Sequence, residues 1–366
     1  MRSVLLFVLS SLVMTSCEVK KDQKDGGVDH RLEREGGSFA GGDLFSYDVE
    51  GDSIIMRRDL LIDSTHYDTI IVCESDPGVS GWAAAGGCSI LKDGSTYYVI
   101  DRQRSPVSSG FKYEMWSSSD LATWTLQWKV ETDSVVDAPI TPLQSFEGSS
   151  LRKYGNRFYL YFCCRNNQTT GWDVYYIVGA RIAALMDSLK TGSAWHPIWT
   201  DNVKDPWVMK YQGKYYMLVS KYHMGVGTRR SLLLESNDPT FASWDTISCP
   251  TEAYAKTHRA MERFGAAGMI LHDGTTGNFI YWNVVEMGRD KDSSDLYWFW
   301  ARTAKLSDDW KYVDRRLVMD SYPKGQRTAR FFDMQVVGDS GIVIIMEWDA
   351  NKDRKGHVFL WKYTDD

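Results

Sequence analysis

The stretch LRKYGNRFYLYFC at 151–163 is an apolar strand, a tight Gly-Asn turn and an aromatic strand, and the chain repeats that plan. SILKDGSTYYVI (89–100) and VMKYQGKYYMLV (208–219) follow it closely, and MILHDGTTGNFIYWNVV (269–285) and MQVVGDSGIVIIMEW (334–348) are weaker copies. Gly, Asn or Asp between two β-rich runs marks a hairpin, because these residues accept the backbone angles of a tight turn. Five such hairpins recur at intervals of roughly 60 residues.

A further element follows several of them. FKYEMWSSSDLATW (111–124), LLLESNDPTFASW (232–244) and FWARTAKLSDDW (299–310) each give a third strand, then a polar turn with Asp, then a Trp expected to pin that turn. After the second hairpin, WDVYYIVGARIAALMDSL (172–189) supplies a strand of another form. A sheet of this kind cannot bury both faces alone, so neighbours must stack around a common axis. A β-sandwich would explain the strand content but not the fixed order of the repeat. The expectation is an all-β, five-bladed β-propeller, with DLFSYDVEGDSIIMRRDLLI (43–62) as a missing outer strand or an ornament.

Composition narrows the partners. A net charge of -6 with 25% charged residues predicts no nucleic-acid partner. The aromatic content of 13% suits pleated surfaces first and flat sugar faces second. MRSVLLFVLSSLVMTSC has a charged start and an apolar run too short to span a bilayer, so residues 1–17 read as an export signal. Its end resembles a bacterial lipobox, which implies lipidation of Cys17 and anchoring at the outer membrane, facing the cell surface or the periplasm. Membrane contact is then through the lipid alone. Residues 18–42 read as a charged, flexible tether, resembling at its start the export signals of Bacteroidetes-type lipoproteins, and 43–366 as the single propeller domain. Beyond Cys17, the five cysteines form no CxxC pattern. Cys163 and Cys164 read as small core residues, and a Cys73–Cys88 bridge is allowed but not demanded.

The blade plan, the Asp-Pro that opens an inner strand and the Ser-Asp-x-x-x-Trp element resemble the five-bladed glycoside hydrolases of families 43, 32, 117 and 130, over roughly residues 80–363. Lys204-Asp205-Pro206 is the closest local match, similar to the Arg-Asp-Pro or Ile-Asp-Pro of a middle blade in families 32 and 43. The resemblance implies that Asp205 steadies the acid or the oxocarbenium-like transition state. It also implies an acid near Glu262, just before the fourth inner strand. The chain departs from families 43 and 32 where they carry a base on the first inner strand: here the residues are AAAGGCS (83–89), with no carboxylate. Asp76-Pro77 lies earlier and would need a loop excursion to reach the axis.

Aligning the hairpins on their turns brings Gly87, Gly148, Asp205, Ala266 and Asp333 to one level, with Glu147 and Lys204 one step earlier. Glycoside hydrolysis needs a protonated acid and an ionised carboxylate, and a third carboxylate tunes them. The catalytic candidates are therefore Asp205, Glu147, Glu262 and Asp333. Each has a plainer reading: Asp205 as a turn starter, Glu147 as a solvated loop residue, Glu262 as a surface partner of Arg263, Asp333 as a partner of Arg330. The substrate-binding candidates are Arg104, Arg165, His223, Arg330 and Trp348, the arginines hinting at an anionic sugar. No cofactor and no metal site is specified, and a structural calcium or sodium ion on the axis is left open. The expected partner is a carbohydrate. The leading expectation is a glycosidase; the alternatives are a noncatalytic glycan-binding propeller and a polysaccharide lyase using Tyr222-His223. Oligomeric state is not legible.

Overall fold

The strand Arg157–Asn166, β9 in chain order, explains the architecture by itself. Along RFYLYFCC, Tyr159, Tyr161 and Cys163 enter one apolar cluster while Phe158, Leu160, Phe162 and Cys164 enter another. Successive side chains point to opposite faces, so a run that is apolar at both parities must be covered on both sides.

The computed structural model describes residues 45–47, 54–56, 67–74, 76–78, 83–166, 171–222, 229–252, 262–264, 268–272, 276–288, 293–323, 329–337, 341–348 and 355–363. The expected signal segment, Cys17 and the tether lie outside them. In chain order the strands are β1 (Phe45–Tyr47), β2 (Ile54–Met56), β3 (Tyr67–Cys73), β4 (Ala83–Asp93), β5 (Thr96–Ser105), β6 (Ser108–Ser118), β7 (Thr125–Glu131), β8 (Leu143–Tyr154), β9 (Arg157–Asn166) and β10 (Asp173–Gly179). Helix α1 (Ile182–Lys190) comes next, then β11 (His196–Trp199), β12 (Val203–Tyr211), β13 (Lys214–Tyr222), β14 (Arg229–Ser236), β15 (Asp245–Ser248), β16 (Glu262–Phe264) and β17 (Met269–His272). The last are β18 (Phe279–Gly288), β19 (Ser293–Thr303), β20 (Lys311–Pro323), β21 (Ala329–Val337), β22 (Gly341–Trp348) and β23 (Lys355–Tyr363).

These strands form four hydrogen-bonded sheets in a propeller arrangement. Strands β8 to β11 make one and β12 to β15 another. A third runs β1-β2-β17-β18-β19-β20, with β16 also on β18, and the fourth runs β21-β22-β23-β4-β5-β6-β7, with β3 also on β23. Among the described residues, the halves of this last sheet join through two parallel pairs, Lys355–Ala83 and Gly356–Ala84. Val343 and Ile345 of one half share an apolar cluster with Ile90 and Val99 of the other. The core is thus divided among layers between sheets: Met115, Phe162 and Leu185 of α1 in one, Tyr161, Met217 and Leu234 in a second, Leu218, Tyr281 and Phe299 in a third.

All five hairpins form as read, with β4–β5, β8–β9, β12–β13, β17–β18 and β21–β22 antiparallel. Three details bear on the sequence reading. Of the segment 43–62, expected as an outer strand or an ornament, the described strands β1 and β2 pair with each other and β2 pairs with β17 through one residue pair; β3, beyond it, lies along β23. The indole of Trp124 does pin its own turn, donating to the Leu121 carbonyl, but Trp244 reaches Ile198 and Trp310 reaches Ser248 in the sheet next to its own. Cys73 and Cys88 are both free thiols, so the allowed bridge is not made.

A belt of hydrogen bonds ties the inner strands together at the axis. Ser149 Oγ donates to the Gly87 carbonyl, Leu151 N–H to Ser89 Oγ, and Val208 N–H to Ser150 Oγ. Its buckle is Asp333 of β21. The carboxylate accepts from Ser89 Oγ and Ile90 N–H on β4, from Arg152 Nη1 and Nη2 on β8 (both 2.8 Å), and from Trp207 Nε1 on β12. Five donors around a side chain only 2% exposed use up its acceptor capacity. The partner expected for it, Arg330, pairs instead with Glu347. Removing one member of a buried ion pair strands the other. Asp333→Ala is therefore expected to lower unfolding stability in urea by about 3–5 kcal/mol, and a loss under ~1 kcal/mol would contradict this role.

Candidate active site

The inner strands carry a shared distortion. Register breaks between Gly86 and Ser89 on β4, Glu147 and Ser149 on β8, Lys204 and Trp207 on β12, and Arg330 and Asp333 on β21. At each break one residue takes a left-handed backbone: Gly87 (φ 64), Gly148 (φ 40), Asp205 (φ 57) and Phe331 (φ 57). Such bulges bend a strand and re-aim its side chains. Asp tolerates this conformation moderately, and a Phe in it is a true outlier held by its surroundings.

The turn alignment therefore holds for Gly87, Gly148 and Asp205 but not for Asp333, which sits two residues beyond Phe331. Counting back from Gly338 rather than from Ser340 would have placed Phe331 correctly. One step before the bulges stand Gly86, Glu147, Lys204 and Arg330, and the last three meet over the axis. A small cavity beneath them is lined by Cys88, Ser149, Asp205, Trp207, Gly268 and Phe331, from separate inner segments.

Opposite charges alternate through this cluster. Lys204 Nζ lies 3.4 Å from Asp205 Oδ2 and 2.8 Å from Glu147 Oε2. Arg102 Nη2 lies 3.5 Å from Glu147 Oε1 and 3.2 Å from Glu347 Oε2. Arg330 closes the row with Nε and Nη2 on Glu347 Oε1. One ammonium thus bridges carboxylates of two sheets, and one guanidinium links Glu147 of β8 to Glu347 of β22. Strand alternation explains the membership of Arg102 and Arg104, two residues apart on β5, while Asp101 and Gln103 face the other way. Gln103 and Asp101 meet Glu114 and Trp116 there. Asp76 goes to that far side as well, with its carboxylate 2.7 Å from Lys112 and its N–H on Gln103, so no excursion brings it to the axis.

Two glycines make the cluster fit. A Cβ on Gly148 would fall 2.5 Å from Asp205 Cα, so only glycine lets β8 and β12 approach this closely. At Gly86 a Cβ would land on the Glu347 carboxylate, whose atoms fill the space a first-strand side chain would take. Cys163, read as a plain core residue, has a second use. Its thiol donates to the Glu147 carbonyl (2.9 Å) and its sulfur accepts the Asp205 N–H (3.3 Å), which sets the two acidic residues relative to each other.

Burial pushes the Glu147 carboxyl up, but Lys204, Arg104, Arg102 and Arg330 together outweigh it and hold the group well below the usual range. Glu347 is likewise raised by burial and brought below its usual value by Arg330, Arg102 and Arg104. Both are ionised at neutral pH. Neither is the protonated acid. Arg104 is held well below the ordinary arginine value, by burial first and then by Arg330 and Arg102.

The remaining candidates are placed as follows. Arg165, the last residue but one of β9, has its guanidinium 5.1 Å from the Trp172 ring, which Lys204 also approaches at 5.3 Å. Glu262 opens β16 and pairs in register with Met287 on β18, and Trp348 ends β22 opposite Ala329; their side chains lie outside the described residues, as does His223 entirely. Trp282 is fully buried against Phe332 and belongs to the core. Arg102 and Glu347 lie where the connections from second to third strands were expected to return to the axis, but their pairing with each other had no signal in the sequence. Among the described residues no group of three or more His, Cys, Asp or Glu side chains is arranged to hold a metal ion.

No protein-family model and no curated protein matches the chain. Solved structures do. A thermostable family-43 glycoside hydrolase aligns with a TM-score of 0.52 at 14% identity, over 80% of this chain and 94% of that one. An endo-arabinase from Bacteroides thetaiotaomicron aligns at 0.53 and 13%, over 80% and 98%. The fold is that of the propeller glycoside hydrolases. A further glycoside hydrolase shares it too, with a TM-score of 0.58 at 10% identity, over 84% of this chain and 95% of that one.

The depressed carboxyls set a pH dependence. A group whose folded value lies below its unfolded one stabilises fully above the unfolded value, and that stability is lost as pH falls through the folded value. Wild-type stability is expected to fall as pH drops below 4.5, the ordinary glutamate value, and Glu147→Gln to flatten that fall. A thermal-denaturation series that is equally steep in both proteins would contradict the assignment.

Proposed function

We propose that the protein is a glycosidase that hydrolyses a glycosidic bond of an oligosaccharide or polysaccharide. The observation that carries this reading is the pair Glu147 and Asp205, brought from neighbouring sheets onto the single ammonium of Lys204 at the axis. The fold shared with glycoside hydrolases supports it.

Glu147, held ionised, is suited to act as base, nucleophile or charge stabiliser, and not as proton donor. Asp205 steadies positive charge developing on the sugar ring, and Glu262, opening the next inner segment, is the acid. Asp333 serves the fold and drops out of the catalytic set. The eight-stranded sheet reads as two blades joined at Ala83–Ala84, because its halves enclose a shared apolar layer; with the other three sheets this makes a five-bladed ring. The segment 1–42 is read as a lipoprotein signal and tether, which would place the enzyme at the outer membrane.

One observation favours a second reading, a glycan-binding propeller without turnover. The first inner strand has Gly86 and Gly87 where the resembled families carry a base, and the carboxylate nearest that place, Glu347, is clamped by two arginines. An oligosaccharide panel separates the two. Hydrolysis predicts new reducing ends with the wild type and a rate at least ~100-fold lower for Glu262→Gln and Asp205→Asn. Unaltered sugars retained by the protein would establish the binder, and products absorbing in the ultraviolet would establish a lyase.

A further inference from the structure

The charges over the axis are layered. The carboxylates are all buried: the Glu147, Asp205 and Glu347 side chains are 3%, 1% and 4% exposed, with the Arg102 guanidinium fully buried between two of them. The groups that reach solvent are cationic. Arg330 is 12% exposed, and Arg104 and Arg165 are half-buried. Within this cluster the guanidinium groups of Arg330, Arg104 and Arg165 reach solvent and the three carboxylates do not.

Donors also outnumber acceptors. Arg102 spends Nη2 on both Glu147 and Glu347, and its Nε and Nη1 are buried with no hydrogen-bond partner. Arg165 Nε is in the same state, the group resting on Trp172. Unsatisfied donors in a low-dielectric setting are costly. Arg104 is held well below its usual value by burial first and then by Arg330 and Arg102, which outweigh the opposing Glu147 and Glu347. An added negative charge would relieve that crowding. A neutral sugar hydroxyl would supply acceptors but no charge.

We infer that the well selects an anionic saccharide, one carrying a carboxylate or a sulfate ester, seated on Arg104, Arg330 and Arg165 above the carboxylate layer. Planar guanidinium groups suit both oxyanions, which they bind through paired N–H donors. The inference rests on the saccharide reading of the site but not on turnover.

Titration of the intact protein tests it, with two matched pairs of probes: an oligogalacturonide against its carboxyl-reduced form, and a sulfated oligosaccharide against its desulfated form. At least one charged probe is expected to bind about tenfold or more tighter than its neutral counterpart, and to weaken as salt is raised. The pair that shows the difference identifies the anion as carboxylate or sulfate. Arg165→Gln, at the rim, is expected to cost about tenfold in affinity for that charged probe while leaving the circular dichroism spectrum unchanged. Arg104→Gln should cost at least as much, and Arg165→Gln keeps the test valid if the Arg104 variant does not fold. Equal binding of charged and neutral probes, or no binding of either charged probe, would overturn the inference. A charged probe that binds without new reducing ends upholds it and sinks the hydrolase, whereas cleavage of neutral sugars alone does the reverse.

Discussion

Close approach of the inner strands at the axis is the constraint on which the rest depends. Each bulge turns one residue into left-handed backbone, and this swings the preceding side chain over the central well. Gly148 is required because any Cβ there would strike the backbone of Asp205. Asp333 then locks the arrangement, drawing donors from three other inner strands onto one carboxylate. Without that lock the acidic residues of separate sheets have no reason to share a site.

Charge alternation follows from the same approach. Buried carboxylates at this spacing repel unless cations stand between them, and Lys204, Arg102 and Arg330 occupy those places. The arrangement fixes protonation as well as position: Glu147 and Glu347 stay ionised. The proton required for leaving-group departure must come from elsewhere, which is why Glu262 carries that role in the proposal. The site is thereby built from a buried layer in which acids alternate with Arg102 and Lys204, and from the partly exposed arginines Arg104, Arg165 and Arg330.

Much of this was legible in the sequence, and for identifiable reasons. Hairpin turns are set locally by Gly, Asn and Asp, so β8–β9 and β12–β13 could be read to the residue. Glu147, Lys204 and Asp205 followed, because they sit at a fixed distance from those turns. Asp333 was misplaced by two residues because Gly338, Asp339 and Ser340 are all of turn-forming types and the count can start from either end of them. Its role as a tie was invisible, since its partners Ser89, Arg152 and Trp207 lie far away in the chain. Glu347 could be placed near the axis from its position after the last hairpin, but not over Gly86, because a missing side chain on one strand says nothing about which distant residue takes its place. The join between Lys355–Gly356 and Ala83–Ala84, which fuses strands into one long sheet, also has no local signature.

The most direct measurement is a crystal structure of the protein bound to an acidic oligosaccharide. The account predicts a sugar ring over the axis, with Glu147 and Asp205 beneath it and at least one of Arg104, Arg165 and Arg330 bonded to its anionic group. A ligand seated on the outer faces of the sheets, or an axis where Glu147 and Asp205 do not share Lys204, would contradict it.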